Sequence, residues 1–387
     1  KLRHQGTFVH AVITCVRGHK NEWQNQALVN GKALLNILLP AAVTYSGASP
    51  TRVLRLLGSI GVAVIRKSQF YKVQGCLVFP AATKAWRAEQ TTLLAAMHGR
   101  RLHLAGDGRA DSPGYSAKYG TYSLLDTDAN KILHFEIVQS TEVKSSNHME
   151  TEGLKRSLDF LLGRGLCLDV LVTDRHHSEG KASLRDHYPE INHRFDVWHV
   201  TKGVKKIIAV AQTKQHGVLL LWLKTIIRHI YWCARTSNGD DQLVLAKWTS
   251  LMRRIINIRE HPDPLHPDCE HGSTPERLWL GEDKFYSASE RTFNKLKATL
   301  MAPHLLRDIP FLSLKEKTSG LESYHAVLIH FVPKATKFRY ERMLVRTYVA
   351  ALHFNHNADR KVLLDENGKT RFRQKWSKGE RQWTLVA

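Results

Sequence analysis

The stretch Leu102-His-Leu-Ala-Gly-Asp-Gly-Arg-Ala-Asp-Ser-Pro-Gly-Tyr-Ser-Ala-Lys-Tyr-Gly-Thr-Tyr-Ser-Leu-Leu-Asp126 decides the fold. Its apolar start, Leu102 to Ala105, reads as a strand that ends on Asp107 between two glycines. A turn-forming segment with Asp111, Ser112, Pro113 and Gly114 follows, and then a second strand-like run, Thr121–Asp126. Lys131–Ser140, ILHFEIVQS after its lysine, lies beyond another turn and completes a meander of three strands.

Outward from the meander the pattern alternates. Met149–Gly165 reads as a helix with Leu154, Leu158, Leu161 and Leu162 on one face. Leu166–Asp174 is a continuous apolar run, as expected of a strand covered on both faces. Ser178–Pro189 reads as a short helix, and Ile191–Val200 as a strand entering a helix at Thr201. A meander leading into crossover units predicts an α/β protein with a mixed sheet and helices on both faces.

The rest divides by composition. Residues 1–100 read as a helical N-terminal region, through LLNILLPAAVTYSG, SPTRVLRLLGSIGV and AATKAWRAEQTTLLAAMHG. Residues 101–200 form the first part of the sheet, and 201–312 a basic, Trp-rich helical insertion. Residues 313–360 hold the last part of the core, and 361–387 a polar, basic tail. In 320–332 a helix is expected, with Leu321, Tyr324, Leu328 and Phe331 as its apolar stripe and Glu322, His325 and Ile329 on another face.

The 387 residues carry a net charge of +22, spread along the chain, which favours a polyanionic partner. A nucleic acid is the expected one. Hydrophobic residues make up 43% and charged residues 24%, which suits a folded protein rather than a disordered one. No run approaches the roughly 20 apolar residues of a membrane span, so no membrane partner is expected. Five scattered cysteines without a CxxC fit a reducing compartment. The first residue is Lys1, which is expected of a chain that continues upstream.

Asp107 and Asp174 both stand at strand ends. Carboxylates emerging at one edge of a sheet are what a hard divalent cation requires. A third acid from a later helix, Glu322, would complete a site for two metal ions. Aspartates after strands also serve as caps and turn formers, and that reading stands beside the metal one. Asp111 is expected to be a turn residue. Asp196 and His199 are spaced to meet across one helical turn, or to act as an N-cap with a neighbouring buried histidine. His266, Cys269 and His271 offer a weak zinc pattern, with Cys233 as a distant further ligand.

These segments together, with VTDRHH (172–177), FDVWHV (195–200) and GLESYHAVLIHFVPK (320–334), resemble the catalytic core of DDE cut-and-paste DNA transposases of the Kolobok superfamily. The resemblance runs from CVRGHKNEW (15–23) to AALHFNHNADR (350–360). It implies a ribonuclease-H-like core with Asp107, Asp174 and Glu322 as the catalytic and metal-binding triad, and Asp196 and His199 in support. It also implies two Mg²⁺ or Mn²⁺ ions, double-stranded DNA as the partner, a homo-oligomer that brings two DNA ends together, and work in the nucleus. Arg109, Lys118, Arg175 and His176 are candidate phosphate contacts. Ala110 stands where relatives often carry Cys, and no THAP-type module is visible. The expected activity is phosphodiester hydrolysis and strand transfer at transposon ends. The alternatives are a domesticated or decayed copy that binds DNA without catalysis, and a structure-specific nuclease.

Overall fold

A computed structural model describes the chain except residues 113–116, 146–147, 175–183, 185–186, 205–218, 271–285, 314–317, 335, 359, 361–363, 378–381 and 387. It divides into two compact units, Lys1–Glu89 with Arg339–Ala387, and Gln90–Phe338.

The second unit is built on a six-stranded mixed sheet: β1 (Arg101–Ala110), β2 (Tyr119–Asp126), β3 (Lys131–Gln139), β4 (Cys167–Thr173), β5 (Asn192–Asp196) and β6 (Leu312–Ser313). Its order is β6-β5-β4-β1-β2-β3. β1, β2 and β3 are the antiparallel meander, while β4, β5 and β6 add in parallel on the other side of β1. The alternation along β1 assigns its faces. Leu102 and Leu104 pack with Leu154, Leu158 and Leu161 of α1 (His148–Leu162). Asp107 and Arg109 have the opposite parity and meet α7 (Ser319–Phe331) or the residue after it. Leu162 departs from its expected face and is exposed, because the buried stripe of α1 runs through Gly153 and Ser157 instead. The apolar stripe of α7 is buried as expected at Leu321, Tyr324, Leu328 and Phe331.

The glycines of β1 are dictated by packing on the α1 face. A Cβ at Gly106 would fall on the Tyr122 hydroxyl, and one at Gly108 would stand 2.6 Å from Cγ of Glu150. Tyr122 is fully buried and cannot swing aside. Gly106→Ala is therefore expected to cost about 1–3 kcal/mol through overpacking. A lowered urea midpoint with an unchanged m-value would show it.

The helical segment after β5 comprises α2 (Val197–Val204), α3 (Leu219–Thr236), α4 (Asp241–Ile255), α5 (Tyr286–Leu300) and α6 (Pro303–Asp308). Asp240 caps α4, accepting from the backbone N–H groups of Gln242 and Leu243. Among the described residues this segment shares its core with the sheet region. Trp222, Ile226, Trp248, Leu251 and Leu300 form one cluster with Phe195 of β5, Val197 and Val200 of α2, and Leu312 of β6. The expected insertion is thus continuous with the sheet region.

The expected helical N-terminal region has helices at its three quoted segments, in Leu34–Tyr45, Pro50–Ser59 and Phe79–Met97, but its first 33 residues are a correction. Leu2–Gln5, Phe8–Thr14 and Lys20–Gln24 form a three-stranded antiparallel sheet, followed by a short hairpin of Leu28–Val29 and Lys32–Ala33. These strands are exposed or only partly buried, so they lack the one-sided alternation that marks a strand in sequence. Helices Leu34–Tyr45, Pro50–Ser59 and Lys67–Val73 follow. Helix Tyr340–Ala358 joins the first unit, with Arg346 donating to the carbonyl of Ala48 at 2.9 Å and Tyr348 stacked on Trp86. In the tail, Arg373–Ser377 pairs with Gln382–Val386, with Trp376 opposite Trp383.

Candidate active site

Parallel pairing of β1 with β4 ends at Gly106 and Thr173. Asp107 and Asp174 are the next residues on each strand, so both carboxylates lie where the two strands part. Asp107 remains in the β1–β2 ladder opposite Ser123. Glu322 comes from the first turn of α7. Histidines link the three acids. His199 Nε2 stands 2.9 Å from Asp174 Oδ1 and 3.7 Å from Glu322 Oε1. His325, one turn beyond Glu322, places Nδ1 3.3 Å from Asp107 Oδ2. The side chains of Asp107 and Asp174 are 19% and 13% exposed, while Glu322 is 47% exposed. A cleft of about 360 Å³ is lined by Asp107, Asp174, Glu150, His325, Arg109 and Lys334, among others.

Glu150, at the start of α1, joins this site without a sequence signal. It reads as one more acid in a helix, and only the passage of that helix over Gly108 of β1 brings it in. Burial, and then the charges of Asp107 and Asp174, push its carboxyl up to about 7. The folded state therefore keeps a proton that the unfolded chain releases near the ordinary value of 4.5. With respect to this group, stability is highest below that value and falls as pH rises toward 7. Glu150→Gln is expected to flatten the fall, read as urea midpoints in EDTA on either side of that window. His199 shifts upward: burial opposes its charge, but the hydrogen bond and charge of Asp174, aided by Asp196, outweigh it.

Asp196 is a bracket. Its Oδ1 accepts from the N–H of Trp198 at 2.8 Å, capping α2, and its Oδ2 accepts from the N–H and hydroxyl of Thr318 at 2.9 and 2.8 Å. One buried carboxylate thus fixes the start of the helix carrying His199 and the start of the helix carrying Glu322. The capping alternative describes its contacts, and its charge still supports His199.

Arg109 is buried, and its Nη2 donates to the carbonyl of Val332 at 2.7 Å. It binds β1 to the chain beyond α7 in addition to lining the cleft. Lys118 is exposed, with its ammonium 4.9 Å from the Tyr119 ring centroid. Arg175 and His176 lie outside the described residues. Asp111 closes its loop as expected, accepting from the N–H of Lys118 at 3.0 Å.

Of the zinc pattern, Cys269 Sγ lies 3.2 Å from Nε2 of His261, and His266 stacks on His261. His271 lies outside the described residues. Cys233 is buried in the helical core, where burial pushes its thiol pKa up.

Among the described residues, no three His, Cys, Asp or Glu side chains converge closely enough to ligate one ion as they stand. The donor chemistry nevertheless fits a hard divalent cation, since Asp107, Asp174 and Glu150 bring carboxylate oxygens to the cleft and Glu322 is joined to Asp174 through His199. The upward shift at Glu150 comes first from burial and then from the like charges of Asp107 and Asp174 beside it. No helix among the described residues is long and apolar enough to cross a membrane. No protein-family model matches the chain, and no curated protein matches it either.

Proposed function

We propose that this chain is a DDE-type polynucleotidyl transferase with a ribonuclease-H-like core, acting as a DNA transposase in the nucleus and working as a homo-oligomer on two DNA ends. The observation that carries the reading is the placement of Asp107 and Asp174 side by side where β1 and β4 part, with Glu322 reached through His199. The strand order, an antiparallel meander extended by parallel strands from its first member, supports a ribonuclease-H-like fold. The net charge of +22 supports a DNA partner.

Asp107, Asp174 and Glu322 would hold the metal. When bound, Mg²⁺ or Mn²⁺ supplies Lewis-acid stabilisation of the attacking and leaving oxygens of an in-line displacement. The chain's own groups set this up. His199 and His325 hold the two aspartates in place, and Asp196 fixes the helices that present His199 and Glu322. Lys334 adds positive charge at the cleft for a phosphate.

The test uses labelled DNA carrying transposon ends, with Mg²⁺ or Mn²⁺ and with EDTA. Metal-dependent nicking and joining of the freed 3′-hydroxyl is the expected result. Salt-sensitive DNA binding without metal-dependent cleavage would favour a DNA-binding protein derived from a transposase. Cleavage without joining would favour a nuclease.

A further inference from the structure

Arg373–Ser377 and Gln382–Val386 pair antiparallel and, among the described residues, form a ribbon of two strands with no third strand beside it. Side chains alternate along each strand, and directly opposed residues share a face. Lys375 is opposite Thr384, and Ser377 is opposite Gln382, so Arg373, Lys375, Gln382 and Thr384 stand on one face. Trp376 and Trp383 stand on the other, with ring centroids 5.7 Å apart at 72°. Arg373, Lys375 and Gln382 are exposed. A lone ribbon is marginal in water, and the tryptophan pair is the cross-strand contact that ties this one together. The opposite face is polar and basic, and its charge selects its partner. Basic residues outnumber acidic ones across 361–387. A second copy of the chain would set like charge against like, whereas a phosphate backbone is complementary.

We propose that this ribbon lies in the major groove of duplex DNA, with the face of Arg373, Lys375, Gln382 and Thr384 on the base edges. The dimensions agree. Two strands about 4.8 Å apart make a ribbon narrow enough for a groove about 12 Å wide. The donors agree as well. Arg and Lys donate to guanine edges, Gln pairs with adenine, and Thr serves either kind. The Thr384 hydroxyl donates to the carbonyl of Lys375 at 3.1 Å, which leaves its oxygen lone pairs to accept. The tryptophan pair points away from the groove and keeps the two strands in register, a positioning role. The inference rests on the DNA reading above and deepens it by naming a duplex-binding surface that the acids do not supply.

The test measures binding by the full chain with fluorescence anisotropy, over a salt series in EDTA. Three fluorescein-labelled probes are used: a short duplex of mixed sequence, one of its single strands, and the same duplex carrying glucosylated 5-hydroxymethylcytosine, which fills the major groove. Arg373→Gln combined with Lys375→Gln is expected to weaken duplex binding at least about tenfold and to lower the salt slope by about 1–2. Arg66→Gln combined with Lys67→Gln removes the same charge from exposed positions of the same unit and should cost far less. Glucosylation should weaken the wild type about as much as the ribbon substitutions do, and weaken the ribbon variant little further. Trp376→Ala should reproduce the loss by fraying the ribbon, and Trp376→Phe should restore most of it. Thermal melts followed by circular dichroism check that the rest of the chain stays folded. Equal losses from the two charge pairs, equal losses on single strand and duplex, or indifference of the wild type to glucosylation would overturn the inference. Metal-dependent cleavage on the same preparations separates the two readings. Cleavage with no ribbon effect removes the ribbon and leaves strand transfer standing, whereas a ribbon effect without cleavage does the reverse.

Discussion

Asp107→Asn is expected to lower metal-dependent DNA cleavage by at least about a hundredfold, equivalent to about 2.7 kcal/mol of transition-state stabilisation. The substitution keeps size and hydrogen bonding but removes the charge that a hard cation needs. Its position makes the result informative. Asp107 sits in the β1–β2 ladder and is nearly enclosed, with His325 on its carboxylate, so an amide fits the same space. Folding should therefore survive, and DNA affinity in Ca²⁺ should stay within a few-fold of wild type. A fall confined to kcat, with binding intact, identifies a group acting in the transition state. Glu322→Gln should behave alike, although its side chain is the most exposed of the three acids.

Trp248→Ala is expected to destabilise the second unit by about 3–5 kcal/mol, the usual range for emptying a large buried aromatic site. Trp248 is fully buried, and its indole N–H donates to the carbonyl of Leu300 at 3.2 Å, so the substitution leaves both a cavity and an orphaned acceptor. The cluster it belongs to includes Phe195, Val197 and Val200, which flank Asp196 and His199. Loss of the tryptophan far along the chain should consequently loosen α2 and reduce cleavage as well as stability. Trp248→Phe, which keeps most of the volume, should lose less of both. Urea melts and the cleavage assay on the same samples measure the pair of effects.

Much of the sheet region is legible in the sequence because its elements are buried on one face or on both. The apolar run Leu102–Ala105, the buried Leu168, Leu171 and Val172 and the stripe Leu321-Tyr324-Leu328-Phe331 are all consequences of burial, and burial is what periodicity records. The strand-end positions of Asp107 and Asp174 follow from the same patterns. The N-terminal strands are different. Leu2–Gln5 and Lys20–Gln24 are exposed throughout, so no core face is written into them, and the neighbouring helices dominate the reading. Glu150 is illegible for another reason. Its place depends on α1 passing over Gly108 of β1, a tertiary relation with no local signature. Gly106 and Gly108 make room for Tyr122 and Glu150 on the face of the strand opposite Asp107.

The central claim is that Asp107, Asp174 and Glu322 bind the cation that acts on DNA. Anomalous diffraction from crystals of the full chain with a DNA end and Mn²⁺ tests it most directly. The account predicts Mn²⁺ peaks bound by these three carboxylates, and their loss in Asp174→Asn. An enzyme that cleaves DNA in Mn²⁺ while those carboxylates show no peak would contradict it.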